Sequence, residues 1–286
     1  MLGRGKHMET TNNRKLENKV VWVTGSSRGI GRALVEHMAA LGAKVAVHGT
    51  RQDSPKQLNE GDTLDSIAAS LAEQYGQETV AVPGDLTDDG VVRGIVDRIH
   101  GSLGPIDILI NCAGGDIGSR GVQGPQAGKP EQNDGVEVSL EDVRTIMDRN
   151  LMTCILCCRA VAPEMMQRKA GRIVNIGSVA GLTGLDRSVI YATSKAAVHH
   201  YSRCLARQMR PYDVLVNVIA PGDIVTPRWL DSRDTEEGKF QETGTQERYG
   251  RTIEVARAVE FLVSGDNTYI TGQVLRVDGG MQIWPS

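Results

Sequence analysis

Hydrophobic residues in this chain fall alternately into short unbroken runs and into longer stripes with helical spacing. The runs are Val20-Val21-Trp22-Val23, Ala43 to His48, Thr79 to Asp85, Ile106 to Asn111, Gly171 to Ser178, Val214 to Ile219 and Gln273 to Val277. Bounded by glycine, proline and asparagine, such runs predict buried strands. The stripes predict helices over about 33–41, Asp62 to Tyr75 (apolar at Leu64, Ile67, Ala68 and Leu71), a segment marked by Val91, Ile95, Val96 and Ile99, one long helix from Leu140 to Lys169, and Val189 to Met209. Strands and helices that alternate imply one α/β domain: a doubly wound, seven-stranded parallel sheet with helices on both faces.

Two stretches break the rhythm. Gln52 to Gly61 is polar and delays the second helix, whereas Gly115 to Val138 is rich in glycine, proline, asparagine and charge. A loop of the second kind inside a compact domain is either the wall of a site or a floppy insertion. Residues 1–16 are expected to be a disordered or tag-like tail, with the domain occupying 17–286.

Composition narrows the partners. The chain has 286 residues, 40% hydrophobic and 23% charged, with a net charge of -3 and a pI near 6.1. That is enough chain for a large core, and there is no basic footprint for nucleic acid or an anionic membrane. No apolar run approaches the roughly 18 residues that span a bilayer, and the expected compartment is the cytoplasm. The five cysteines lack paired spacing, which fits reduced thiols, and no metal site is expected.

Between the first run and the first stripe stands Thr24-Gly25-Ser26-Ser27-Arg28-Gly29-Ile30-Gly31. A strand, a glycine turn and a helix start together make a phosphate cradle: glycines permit close backbone approach, and free helix amides attract negative charge. Ser178 ends the fifth strand, and Tyr191 and Lys195 lie four residues apart on the next helix, so both can share one site. Ligands of open α/β sheets bind at the carboxyl ends of strands where strand order reverses, and Asn111 also lies at that edge. A phenol working near neutrality needs a cation beside it, and Lys195 is placed to be that cation. Ser178 can donate a hydrogen bond to a carbonyl oxygen on which charge develops. At the exit of the second strand, His48-Gly49-Thr50-Arg51 carries no carboxylate before Asp53. Arg51 and Arg28 therefore favour a 2′-phosphate, and NADP(H) over NAD(H), though NAD(H) stays possible.

Taken together, residues 17–281 resemble the short-chain dehydrogenase/reductase family, including members of the 3-oxoacyl-acyl-carrier-protein reductase and polyol dehydrogenase types. The resemblance implies a Rossmann domain, with Thr24-Gly25-x-x-x-Gly29-x-Gly31 as its cofactor turn and Asn111-Cys112-Ala113-Gly114 as its strand end, cysteine replacing the usual second asparagine. It implies Asn150, Ser178, Tyr191 and Lys195 as the catalytic four: Tyr191 the acid/base, Lys195 also holding the nicotinamide ribose, Ser178 orienting the carbonyl, and Asn150 interrupting its helix so that a carbonyl holds a relay water. It further implies cofactor contacts from Gly25, Ser27, Arg28, Gly29, Ile30, Gly31, Arg51, Asp85 (adenine) with Leu86, Asn111, Ala113 and Gly114, and from Pro221, Gly222, Ile224 and Thr226. A substrate lid around 223–250 and a homotetramer built on the long helices and the last strand complete the expectation.

The predicted activity is an NADP(H)-dependent interconversion of a carbonyl and a secondary alcohol on a small, polar substrate. The alternatives are 3-oxoacyl thioester reduction and, less favoured, a non-catalytic nicotinamide-binding regulator.

Overall fold

The computed structural model describes residues 14–61 and 63–283. Among them seven strands form one parallel sheet: β1 Val20–Val23, β2 Lys44–Gly49, β3 Thr79–Pro83, β4 Ile108–Asn111, β5 Gly171–Ile176, β6 Val214–Pro221 and β7 Val274–Val277. Their order is β3-β2-β1-β4-β5-β6-β7. The chain winds outward from β1 in one direction and then from β4 in the other, so the reversal lies between β1 and β4. A crevice opens there beyond the strand ends.

Each face of the sheet is covered by helices, because successive strand residues point to opposite sides. Val21 and Val23 join Leu34, Val35 and Met38 of α1 (Gly29–Ala40), Leu64, Ile67 and Leu71 of α2 (Leu64–Tyr75), and a helix near the C-terminus. Val20 and Trp22 face the opposite core with α3 (Asp89–Leu103) and two later helices. Helix α2 begins at Leu64, two residues later than its stripe suggested, because Thr63 and Ser66 form a capping box.

The predicted helix 140–169 is two helices, α4 (Leu140–Met147) and α5 (Thr153–Arg168), joined by a π turn at Asp148–Met152. Helix α6 is Val189–Met209, and α7 is a single turn, Pro227–Asp231. Helix α8 (Thr252–Val263) was absent from the strand-and-stripe reading; its Val255, Ala256, Val259, Leu262 and Val263 are buried against α1 and the sheet.

The domain starts earlier than expected. Leu16, assigned to the tail, is 1% exposed; its amide bonds the Leu41 carbonyl, and Lys15 pairs with Glu260 and Asp266. Residues 1–13 lie outside the described residues. The insertion 115–138 is folded onto the molecule: Ser119 bonds Asp142, Asn133 bonds Asp116, and Gly118 bonds Gly128.

Candidate active site

A cavity of about 1100 Å³ opens at the strand ends on either side of the reversal. One end is the glycine turn. Thr24 Oγ1 accepts from the amides of Cys112 and Ala113, both at 3.0 Å, which ties the turn after β1 to the end of β4. Ser26 Oγ donates to the Val23 carbonyl and accepts from the His48 amide. The Gly25 amide donates to His48 Nδ1 (2.9 Å), so His48 Nε2 carries the proton and donates to the Gly84 carbonyl (3.0 Å). Burial lowers this imidazole to about 4, and it stays neutral in the fold.

The turn fits a pyrophosphate by the test of added bulk. A Cβ on Gly31 would lie 2.2 Å from the Gly25 carbonyl oxygen, and one on Gly25, whose φ is +64°, would lie 2.8 Å from Ala113 Cα. Only glycine lets the backbone close this tightly at the start of α1, the end of a helix that attracts negative charge. Arg28, at the N-cap of α1, makes no side-chain cap there; its Nη1 instead donates to Gln57 Oε1 at 2.8 Å. The Gly29 amide is capped by Glu60 Oε2 at 2.7 Å.

The other end holds Ser178, Tyr191 and Lys195. Ser178 follows β5 and caps a short 3-10 turn: its Oγ accepts from the Ala180 amide at 3.1 Å, and its hydroxyl hydrogen is free to donate. The Ser178 amide is held by His199 Nε2 at 3.4 Å, an imidazole that burial, with Lys195 nearby, lowers to about 4. Lys195 is 5% exposed, its Nζ donates to the Ile176 carbonyl at 2.8 Å, and the same ammonium lies 5.7 Å from the centre of the Tyr191 ring. A buried cation beside a phenol, facing a hydroxyl donor, is an arrangement able to pass a proton to a carbonyl oxygen.

Every residue expected to be catalytic or to contact the cofactor lines this cavity except Asn111 and Asn150. Asn111 is turned into the sheet, its Nδ2 donating to Asn175 Oδ1 (2.8 Å) and Cys158 Sγ, so it braces the strand ends and does not face a cofactor. Asn150 sits in the π turn and is 1% exposed. Its amide exchanges two hydrogen bonds with the Gly115 backbone, 2.8 and 2.9 Å, and donates to the Ile146 carbonyl. A π turn widens a helix by one residue and frees a carbonyl from the ladder, which agrees with the expected interruption at this position.

The sequence reading missed several lining groups. Arg149, beside Asn150, points into the cavity with its Nε buried and without a partner among the described residues. Lys129, from the insertion, lines it too and donates to the Ser232 carbonyl. Arg228, within the expected lid, is fixed by the carbonyl oxygens of Asp116 and Ala127. The lid is pinned by more than charge: Trp229 and Tyr249 are buried edge to face, and Asp223 binds both Trp229 Nε1 and Arg233. No position-specific pattern marks Arg149 or Lys129 in the sequence, since a charged residue in a loop or helix usually faces solvent. No cluster able to hold a metal exists among the described residues, and no helix there is long and apolar enough to cross a membrane.

Comparison with known proteins gives a family. A family profile described as short chain dehydrogenase matches residues 19–237. The chain is 34% identical over 267 residues to the 3-oxoacyl-acyl-carrier-protein reductase of Aquifex aeolicus, covering 93% of this chain and 98% of that one. It is likewise 34% identical over 276 residues to the cyclohexanol dehydrogenase of Rhodococcus sp., covering 95% and 98%. Among solved structures, 7α-hydroxysteroid dehydrogenase complexed with NADH and 7-oxo glycochenodeoxycholic acid matches with a TM-score of 0.79 at 29% identity, over 96% of this chain and 98% of that one.

Proposed function

Because this chain belongs to the short-chain dehydrogenase family, whose members are oxidoreductases acting on alcohols and carbonyls with nicotinamide cofactors, we propose that it is an NADP(H)-dependent enzyme for a small polar substrate. Tyr191 is the acid/base in this reading. The carrying observation is that Ser178, Tyr191 and Lys195 share one cavity with the glycine turn.

The residues divide the work. Gly25, Ser27, Gly29, Ile30 and Gly31 would cradle the pyrophosphate, Asp85 and Leu86 the adenine, and Ala113, Gly114, Pro221, Gly222, Ile224 and Thr226 the remainder of the dinucleotide. When bound, the nicotinamide donates or accepts the hydride. Ser178 then orients the carbonyl oxygen with its free hydrogen, and Tyr191 gives that oxygen a proton or takes one from the alcohol. The Lys195 ammonium stabilises the phenolate left behind and would also hold the ribose hydroxyls. Asn150 acts one step away, by fixing Gly115 and the π turn.

Arg28 and Arg51 at the turn and the β2 exit support NADP(H), since a guanidinium suits a 2′-phosphate. Lys129 and Arg228, on the side of the cavity shared by Tyr191 and the lid, support a polar, anionic or hydroxylated substrate. A long apolar chain would strip water from these cations. The second reading, 3-oxoacyl thioester reduction, is supported by relatives of that name at this level of identity. The same account makes the enzyme cytoplasmic and homotetrameric.

A screen of sugar-like ketones, keto acids, hydrophobic ketones and 3-oxoacyl thioesters for NADPH oxidation, with alcohols in the reverse direction, tests the reading. Polar carbonyls are expected to give the highest kcat/KM, and a thioester well above all of them would establish the second reading. Tyr191→Phe is expected to bind NADPH in a fluorescence titration while losing at least about 10²-fold in turnover. Turnover near wild type in that variant would sink the assignment of Tyr191.

A further inference from the structure

The polar stretch between β2 and α2 does more than delay a helix. It folds into a 3-10 turn, Ser54–Leu58, and returns along the cavity so that Gln57 and Glu60 line it beside Arg28 and Arg51. This is the end of the site where the chain leaves β2, and where dinucleotide-binding folds read the substituent on the adenosine 2′ position. The strand exit itself offers no acid: Gly49 and Thr50 are followed by Arg51, which is exposed and 3.4 Å from Asp53. The missing carboxylate arrives from the far end of the polar stretch instead.

Glu60 is held in a defined place. Its Oε2 accepts the Gly29 amide at 2.7 Å and so supplies the cap that α1 lacks from its own N-cap residue. Its other oxygen, Oε1, is buried and has no hydrogen-bond partner among the described residues. Arg28 and Arg32 attract the carboxylate, Glu36 opposes it, and Gln57 turns the Arg28 guanidinium toward the same corner. Burial holds the Glu60 carboxyl above its ordinary value, and the Gly29 amide and the two arginines offset only part of that rise. A 2′-phosphate brings close to two negative charges at neutral pH, and a carboxylate repels it.

We propose that Glu60 is a specificity-determining residue that reads the charge of the cofactor's 2′ substituent, opposing the phosphate that Arg28 and Arg51 attract and so narrowing the preference for NADP(H). The inference rests on the proposed dinucleotide site. A purely structural role as a helix cap makes a different prediction, because a cap serves both cofactors equally.

The test is equilibrium titration of the full chain with NADPH and with NADH, followed by nucleotide fluorescence. Glu60→Gln keeps an acceptor for the Gly29 amide, removes the charge and turns the second oxygen into an amide donor. It is expected to tighten NADPH binding about fivefold to tenfold, the scale of one partly screened like charge, and to leave NADH within about twofold. Glu60→Asp keeps the charge, and its NADPH-to-NADH ratio is expected to stay within about twofold of wild type. An unchanged ratio in Glu60→Gln, equal weakening of both nucleotides, or the same ratio change in both variants would overturn the inference while leaving the cofactor site standing. A wild-type chain that binds neither nucleotide would overturn the site and the inference together.

Discussion

At the scale of single residues, the side chains that do chemistry were easier to read than those that hold them. Ser178, Tyr191 and Lys195 stand out because their types and order match one reaction, whereas His48 and His199 look in the sequence like ordinary members of a strand and a helix. The structure makes them supports: His48 joins the glycine turn to the end of β3, and His199 holds the backbone of Ser178. Both imidazoles are neutral in the fold, lowered to about 4, chiefly by burial. An unfolded histidine takes its proton near pH 6.5. Between about 6.5 and 4 the unfolded chain therefore holds more protons than the native one, so the stability both residues contribute is complete above 6.5 and is lost as the pH falls toward 4. The expected loss is on the order of 1 kcal/mol per pH unit for each histidine across that window. Urea unfolding at pH 7 and pH 5 measures it; equal midpoints and slopes at the two values would show that these imidazoles are not buried neutral. Asn111 shows the opposite error. Its place at a strand end suggested ligand contact, but side-chain direction is set by the sheet, and there Asn175 and Cys158 take its amide.

Elements follow from periodicity where one core faces them, and escape it where a local device intervenes. All seven strands were legible because a parallel sheet covered on both faces needs unbroken apolar runs. The long stripe over 140–169 concealed a π turn, since one extra residue at Asp148–Met152 shifts the phase without breaking the apolar count. Helix α8 was absent from the reading although Val255, Val259 and Leu262 have helical spacing. The insertion 115–138 had no period to read. Its order comes from tertiary hydrogen bonds, through Asp116, Asp142 and Arg228, which no local pattern encodes. The glycine turn is the element whose geometry tolerates least. Gly31→Ala places a methyl carbon where only 2.2 Å separates it from the Gly25 carbonyl, so the turn and α1 must part. The expected result is at least a tenfold loss of affinity for both NADPH and NADH, with a lower melting temperature; unchanged nucleotide titrations would show that the turn is not the cradle.

For the whole molecule, what the monomer leaves uncovered bears on its assembly. On the long helix α5, Cys154, Cys157 and Val161 are buried in this chain's own core and do not argue for a partner. Ile155, Pro163 and Met166 of α5 line a groove with Tyr201 and Cys204 of α6. At the far edge of the sheet β7 pairs only with β6, and Leu275, Tyr269 and Ile283 around it are exposed at 41%, 96% and 82%. An open edge flanked by large apolar side chains invites pairing unless something covers it. A second copy meeting this one through β7, and another through α5 and α6, would cover both surfaces and give the tetramer expected from the family resemblance. Light scattering at micromolar concentration is expected to report four chains, and Leu275→Arg, which puts a charge on the β7 surface, is expected to lower that mass while circular dichroism stays unchanged. A wild-type mass of one chain would refute the assembly, and a four-chain mass that survives Leu275→Arg would remove β7 from the interface.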